Sequence, residues 1–318
     1  MYKIYLILFV FLTLFFTYIN NVNAHYPEGV VYKAYNFQEK TPTIDGKDDD
    51  WSKVGIAYTI NTEDLYEIFS GMGKNGSGVD LSDLAVQMKI GWSSITNSIY
   101  IWAKTYDNIH IVNKPAGHPE FMLYQDCIEI NIDADHSGGQ FCNFYPPTYT
   151  VDQEYRLTNS QAQTLCFAYP SIDGINQTAT SLATLSSSTW YYEPSSPYIE
   201  SAFTYNGITN GAGITTYEIR LGPMFDDLYW MGAENSQTHT LKQNEIFGLN
   251  TEFIDTDIPT DFAGFDWGKM KFHRHTDWNL NGQDGGYITA SNLADFLLSP
   301  PDVSVIPSSW GRIKASFK

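Results

Sequence analysis

The feature that most constrains the fold is the stretch from Tyr124 to Asp135, in which apolar residues occupy every second position. The isoleucines at positions 128, 130 and 132 fall on one side of an extended chain. The residues between them form a polar set: Cys127, Glu129, Asn131 and Asp133. A period of two is typical of a β-strand with one face in a core. We therefore predict a strand that holds its acids on the face opposite the core, where a ligand could meet them.

Short alternating segments recur along the whole chain. Residues 86–92 and 99–103 flank the turn Thr96-Asn97-Ser98, which predicts a β-hairpin. Further candidate strands lie at 154–157, 201–205, 215–221, 245–255, 269–275 and 312–317. Many short strands with one or two brief helices favour an all-β fold, an antiparallel β-sandwich with long loop insertions. Because no internal repeat or linker separates these segments, we predict that residues 41–318 form a single domain.

The N-terminus has the pattern of a secretory signal peptide. Lys3 precedes an apolar run over residues 4–19, and Val22-Asn23-Ala24 supplies small residues at the usual cleavage positions. We therefore expect residues 1–24 to be removed and residues 25–40 to form an N-terminal extension of a secreted or cell-surface protein. The alternative is that the apolar run is kept as an anchor.

Composition limits the class of ligand. The formal net charge of −18 would repel nucleic acid and anionic lipid, so polyanionic partners are not expected. Only 17% of the residues are charged, whereas 15% are aromatic. Aromatic-rich sequences suit β-sheets and flat polar ligands such as sugars, although extracellular β-proteins that bind nothing share this composition.

Three cysteines give an odd count in a chain expected to be exported. One disulfide with a third thiol outside it is the simplest arrangement. Cys142 and Cys166 lie in the same irregular region, so we expect them to pair, although spacing alone does not fix the choice. No Cys/His spacing typical of a structural zinc site occurs.

Several motifs together resemble the family 9 carbohydrate-binding modules, a β-sandwich group related to DOMON-like domains. The central strand is the best match, because Gln125-Asp126-Cys127-Ile128-Glu129-Ile130-Asn131-Ile132-Asp133 resembles the family's Q-D-S-V-E-I-F-I-D. The other landmarks follow in the family's order across residues 42–313: Pro42-Thr43-Ile44-Asp45-Gly46 with Trp51, Ile90-Gly91-Trp92 with Ile99-Tyr100-Ile101 and Asp107, Tyr217-Glu218-Ile219-Arg220-Leu221, Gly248-Leu249-Asn250 with Asp255-Thr256-Asp257, and Trp310-Gly311-Arg312-Ile313.

The resemblance implies a jelly-roll or DOMON-like sandwich that binds poly- or oligosaccharide outside the cell without catalysis. By position, Tyr124 would stack on a sugar ring, Glu129 would accept from its hydroxyls, and Arg156 would donate to them. The family's second aromatic residue lies before the terminal strand, where this chain has Tyr287 and Phe296 but no tryptophan. The alternative is that Tyr124 is a surface aromatic residue and that Glu129 is salt-bridged, for example to Arg156.

Two pairs of aspartates near predicted strand ends are candidate calcium ligands. They are Asp133 with Asp135, and Asp255 with Asp257. Carboxylate oxygens are the ligands that Ca²⁺ prefers, so a structural calcium ion is an expectation. Carboxylates at strand ends are also commonly just solvated.

Two other classes of function stay open. DOMON-like relatives bind haem, so Met88, Met122, Met224 or a histidine could be axial ligands under a redox alternative. A carbohydrate-active enzyme is the other: a hydrolase would use an acid pair such as Glu129 with Glu218 or Asp126, and an oxidative enzyme would use His25. The sequence lacks the Gly-x-Ser-x-Gly, His-Glu-x-x-His and P-loop motifs.

Overall fold

The computed structural model describes residues 29–67, 80–112, 125–144, 146–169, 189–192, 196–257, 271–274 and 289–301. The predicted signal peptide, and with it His25, lies outside these ranges. The strands are β1 Val31–Asn36, β2 Thr59–Asn61, β3 Tyr66–Glu67, β4 Leu84–Ser93, β5 Ser98–Asp107, β6 Cys127–Asp133, β7 Gln163–Phe167, β8 Ile199–Gly207, β9 Gly213–Leu221, β10 Phe225–Asp227, β11 Gln237–Thr238, β12 Ile246–Asp255, β13 Lys271–Arg274 and β14 Ala294–Leu298. The helices are α1 Val151–Leu157 and α2 Thr189–Tyr192, with 3-10 turns at Asp49–Trp51, Ile56–Tyr58, Thr62–Asp64, Ala233–Asn235 and Ala290–Asn292.

Twelve of the described strands form one large curled sheet, whose main path has the order β3-β13-β12-β14-β1-β4-β5-β9-β8, and β10 and β11 form a separate two-stranded sheet. Strand β2 pairs with β4, and β6 pairs with both β12 and β7. Strand β1 lies in the predicted N-terminal extension and joins the two halves, because it runs parallel to β14 on one side and to β4 on the other. With 42% strand and 13% helix, the predicted all-β fold is confirmed.

The core lies between the two halves of the curled sheet. Ile90, Ile101 and Ile219 enter it from the β4–β5–β9 half, and Ile130 and Leu249 enter it from the β6–β12 half. All five side chains are fully buried. The alternation seen in the sequence therefore places one face of each half in a shared apolar interior, which is the main stabilising term of such a fold.

The predicted hairpin is present as β4 and β5. Ser93 and Ser98 are the last pair of register partners before the turn, in which Asn97 has a φ of 49°. A left-handed conformation suits asparagine better than most residues. The Asn97 side chain also donates to the carbonyl of His239 at 2.7 Å, so the turn is held from outside the hairpin.

A buried carboxylate explains the Ile-Asp-Gly…Trp motif near the start of the described chain. Glu218 of β9 accepts from the backbone N–H groups of Asp45, Gly46 and Lys47 at 2.9, 2.8 and 3.3 Å. Its second oxygen accepts from Trp51 Nε1 at 2.7 Å. Trp51 is 1% exposed and meets Phe37 edge to face, so it is a packing anchor.

Gly46 is needed at this point for two reasons. Its φ is 78°, which disfavours a side chain, and a Cβ there would overlap the backbone of Phe203. Its carbonyl accepts from the Thr204 hydroxyl at 2.8 Å. The turn is thus pressed against β8, which packs it onto the sheet.

One predicted strand is wrong. Residues 154–157 belong to helix α1, because Thr150 and Gln153 form a capping box in which each side chain bonds the other's backbone N–H. The helix is short, and no helix among the described residues is long and apolar enough to cross a membrane.

Candidate functional site

The adjacent strands β7, β6 and β12 carry polar side chains on one common side of the sheet, which we call the polar face. It consists of Cys127, Glu129, Asn131 and Asp133 of β6, Thr164 and Cys166 of β7, and Asn250 and Glu252 of β12. The isoleucines between the β6 residues are all in the core, so the predicted alternation is confirmed. We expected the polar side chains of β6 to lie where a ligand could meet them, but they are buried. Glu129, Asn131 and Glu252 are each 1% exposed, so the polar face is enclosed by the chain.

A hydrogen-bonded chain runs across part of this face. Thr164 Oγ1 donates to Asn131 Oδ1 at 2.7 Å, and Asn131 Nδ2 donates to Glu129 Oε1 at 2.7 Å. Glu129 and Glu252 are register partners on neighbouring strands. Like charges directly opposite each other are destabilising in a sheet, and burial increases that cost.

Asn250 is the register partner of Asn131 but has a different environment. Its side chain is fully buried, and neither Oδ1 nor Nδ2 has a hydrogen-bond partner in the part of the chain that the structure describes. A buried amide without partners is costly, and native proteins rarely keep one without a reason. An NH2 group with two donors and an amide oxygen acceptor are therefore available beside two carboxylates.

The backbone register extends this row to the edge of the sheet. Glu252 pairs with Arg274 of β13, and Arg274 pairs with Tyr66 of β3. Register partners in antiparallel strands lie on the same face of a sheet. Among the residues whose side chains the structure describes, the row therefore carries Cys166, Glu129 and Glu252.

The predicted disulfide between Cys142 and Cys166 is wrong, since all three cysteines are thiols. Cys166 lies in the middle of β7 opposite Glu129, whereas Cys142 packs in a separate small cluster with Phe141 and Ala162. Burial, reinforced by the Glu129 carboxylate, raises the pKa of Cys166 well above its usual value. The thiols are thus poor nucleophiles at neutral pH.

A second group of side chains lies where β5 and β12 end and β6 begins. Asp107 is central: its oxygens lie within 4.8 Å of ligand atoms of His110 and Asp126, and likewise of Asp255 and Asp257. Asp107, His110, Asp126 and Asp255 are buried. The structure therefore brings together the predicted pair Asp255 and Asp257, and adds three residues that the sequence did not single out as metal ligands.

Backbone groups already hold part of this Asp–His group. Asp126 accepts from the N–H groups of Ile111 and, at 2.7 Å, Thr256. His110 Nε2 lies 2.6 Å from the Tyr169 carbonyl, so it donates, and Nδ1 lies 3.4 and 3.3 Å from oxygens of Asp107 and Asp126.

The pKa values of this group reflect its burial and crowding. Burial, then the neighbouring carboxylates, raises the pKa of Asp255 to about 9. The pKa of His110 rises to about 10, because hydrogen bonds to Asp107 and Asp126 outweigh the effect of burial. Crowded buried carboxylates need protons or a cation, and the oxygen set of Asp107, Asp255 and Asp257 suits Ca²⁺. The expected calcium ion stays a prediction.

The other predicted calcium pair has a local role. Asp133 accepts from Gly138 N at 2.8 Å and Asp135 accepts from Ser137 N at 3.1 Å, which holds the turn after β6. Among the described residues, these two do not join a group of three candidate ligands. Burial and the neighbouring Asp135 raise the pKa of Asp133 to about 7.

Arg156 and Phe296, the other predicted sugar residues that the structure describes, do not gather around Glu129. Arg156 lies on α1, where it pairs with Asp152 at 3.1 Å and its guanidinium lies 5.3 Å from the Trp230 ring centre. Phe296 is not an exposed platform: it is fully buried and stacks on Tyr32 at 5.2 Å. It lies inside strand β14 rather than in a loop. Tyr124 and Tyr287 lie outside the described residues.

Two of the proposed haem ligands are packed in the hydrophobic core. Met88 and Met224 are fully buried members of the core cluster, and Met88 accepts from the Thr251 hydroxyl at 3.2 Å. Met122 lies outside the described residues. Neither buried methionine is at a sheet edge where a large cofactor would enter.

Sequence reasoning missed Asn250 and Glu252 as members of the site, although a signal was present. Residues 247–253 alternate Phe247, Leu249, Thr251 and Phe253 with Gly248, Asn250 and Glu252. The second set could have been paired with the polar side of β6. What the sequence did not supply was the register that places Asn250 opposite Asn131.

Comparisons with known proteins add little. Neither a protein-family model nor a curated protein matches the sequence. Among solved structures, the chain is similar to a protein from Bacteroides uniformis described as a "putative carbohydrate-binding protein", with 9% sequence identity and a TM-score of 0.37. The match covers 84% of this chain and 97% of that one. At this level of similarity, it supports no argument about family or ligand.

Proposed function

We propose that this protein binds a saccharide outside the cell, and that Glu129, Asn131, Asn250 and Glu252 of the polar face contact it. The observation that carries the proposal is the buried Asn250 amide, which has no hydrogen-bond partner among the described residues. It lies next to Glu252 along β12 and opposite Asn131 across the sheet. A ligand that both donates and accepts would satisfy it.

Sugar hydroxyls fit this set of groups. Each hydroxyl donates one hydrogen bond and accepts others, while a carboxylate accepts and an amide does both. An anionic ligand would meet Glu129 and Glu252 and the net charge of −18, so a neutral ligand is favoured. Hydrogen bonds to ionised groups are the stronger ones, which gives the two glutamates a direct role in affinity.

The enclosure of the polar face limits how much of a polymer it takes. Glu129 and Glu252 are almost fully covered by the chain itself, so a ligand would reach them only if the covering segments moved aside. We therefore expect a single sugar or the end of a chain to enter, rather than the middle of a long polymer.

The acid pairs considered for hydrolysis are occupied elsewhere. Glu218 lies on β9 and accepts from three backbone N–H groups and Trp51. Asp126 accepts from Ile111 and Thr256. Hydrolysis requires two carboxyl groups that flank one glycosidic bond, and these bonds leave neither acid available as the partner of Glu129.

The test is binding of neutral mono- and oligosaccharides to the wild type, Glu129→Gln and Asn250→Ala by calorimetric titration. Losing a hydrogen bond to a charged group costs about 1.5–3 kcal/mol, so affinity should fall roughly tenfold or more in Glu129→Gln. Asn206→Ala, which removes an exposed asparagine of β8, is the matched control. Wild-type affinity in both polar-face variants would place the site elsewhere.

A further inference from the structure

A cluster of partly exposed aromatic side chains lies away from the polar face. We call it the aromatic platform and define it by Tyr155 and Arg156 of α1 together with Tyr229 and Trp230 from the loop after β10. Tyr155 is 37% exposed and Tyr229 is 36% exposed, while the Arg156 side chain is 53% exposed. Exposed aromatic residues in a group are uncommon on a soluble surface and indicate a binding site.

Hydrogen bonds from neighbouring segments fix the platform. Leu228 N donates to the Ser160 carbonyl at 2.8 Å, which ties the loop to the residues that follow α1. Tyr229 N donates to Ser236 Oγ at 2.8 Å, and Trp190 Nε1 donates to the Tyr229 carbonyl at 3.1 Å. Because the backbone of this loop is held before a ligand arrives, binding would lose little backbone conformational entropy.

The rings are close together but not coplanar. Tyr155 and Trp230 have centroids 5.6 Å apart with planes at 67°, and Tyr229 and Trp230 are 6.1 Å apart at 55°. A flat crystalline polymer surface needs parallel rings in one plane. Inclined rings instead match a single chain whose successive sugar units turn relative to one another.

The charges of the platform balance locally. Arg156 is paired with Asp152 at 3.1 Å, and its guanidinium lies over the Trp230 ring at 5.3 Å. A neutral patch on a chain of net charge −18 does not attract a polycation, and the chain as a whole repels polyanions and further copies of itself. A neutral ligand with apolar faces and hydroxyl edges is the complementary partner.

We propose that the aromatic platform binds a single soluble chain of neutral sugar units, with Trp230 and Tyr155 stacking on sugar rings and Arg156 donating to hydroxyls. Only the class of ligand rests on the proposed function, because the residues lie on other elements than the polar face. A polymer could engage both sites, with its end in the polar face and a later segment on the platform. Two linked contacts of this kind raise overall affinity without any new contact.

The experiment titrates soluble neutral hexasaccharides (β-1,4-glucan, β-1,4-xylan, β-1,3-glucan and α-1,4-glucan) into the wild type, Trp230→Ala and Tyr155→Ala. Microcrystalline cellulose is used in a parallel pull-down. Ile208→Ala, which removes a residue 70% exposed outside the platform, is the control. A stacked aromatic ring contributes about 1 kcal/mol, so each platform variant should weaken binding of at least one hexasaccharide roughly five- to tenfold. The Ile208→Ala variant should bind as the wild type does, and cellulose should capture none of the proteins.

Glu129→Gln is titrated in the same experiment, so that the proposal for the polar face and the proposal for the platform can be refuted independently. Platform variants that bind like the wild type would overturn the platform, and a loss in Glu129→Gln would still support the polar face. The reverse result would support the platform and refute the polar face. A wild type that binds no hexasaccharide would overturn both. Capture by cellulose, or self-association in sedimentation that Trp230→Ala abolishes, would assign the platform a crystalline surface or a second copy and so overturn the proposal.

Discussion

Replacing Asn250 by leucine separates a ligand-binding role from a structural one. The Asn250 amide is fully buried and has no partner for Oδ1 or Nδ2 in the described chain, so the folded protein bears its desolvation cost. That cost is about 1–3 kcal/mol, and an apolar side chain of similar shape removes it. We therefore expect Asn250→Leu to raise the free energy of unfolding by about this amount, which corresponds to roughly 2–4 °C in Tm per kcal/mol.

Asn131→Leu is the matched comparison with the opposite sign. Asn131 faces Asn250 across the sheet but donates to Glu129 and accepts from Thr164, both at 2.7 Å. Its replacement leaves two buried polar groups without their partner and should cost about 2–4 kcal/mol. Denaturant unfolding of the two variants and the wild type measures both effects. If Asn250→Leu is destabilised as much as Asn131→Leu, the Asn250 amide has a structural role and the argument for a ligand fails.

Three further predictions concern stability. Trp51→Phe should lower the free energy of unfolding by about 1.5–3 kcal/mol, because it removes the indole N–H that donates to buried Glu218; an unchanged denaturation midpoint would contradict this. Gly46→Ala should destabilise more than Gly55→Ala, since only at Gly46 is φ positive and the space filled; equal losses would refute the steric reasoning. The pKa of Asp255 is raised to about 9 in the folded protein. As pH rises, this carboxyl therefore loses its proton in the unfolded chain before it does so in the folded one. With chelator present, stability should therefore fall as pH rises from about 4 to 9, and calcium at pH 8 should restore it; thermal melts that show neither effect would end the calcium prediction.

The parts of the fold that the sequence predicts well are those set by local pattern. The alternation in β6 fixed which side of the strand enters the core, and Asn97 marked the hairpin turn because it tolerates a left-handed backbone. Both signals need only neighbouring residues. Trp51 was likewise recognisable as an anchor from its position after an Asp-Gly turn.

The predictions that were wrong concern segments where helix competes with strand, and residues whose partners are far away in the sequence. Residues 154–157 alternate weakly, but the capping box of Thr150 and Gln153 favours helix, which removed Arg156 from the sheet. Phe296 looked like a loop residue, yet strand β14 carries it into the core against Phe247. Pairing of this kind depends on register between segments far apart in sequence, which a local pattern does not contain.

Strand β1 has a consequence for how the protein reaches its folded state. It pairs with β14, and Asn36 Nδ2 of β1 donates to the carbonyl of Ser299, 263 residues away in sequence. Pairings between distant segments slow folding, because the loop between them must close before any contact stabilises it. Strand β1 therefore cannot join β4 to β14 until Ala294–Leu298 has been synthesised.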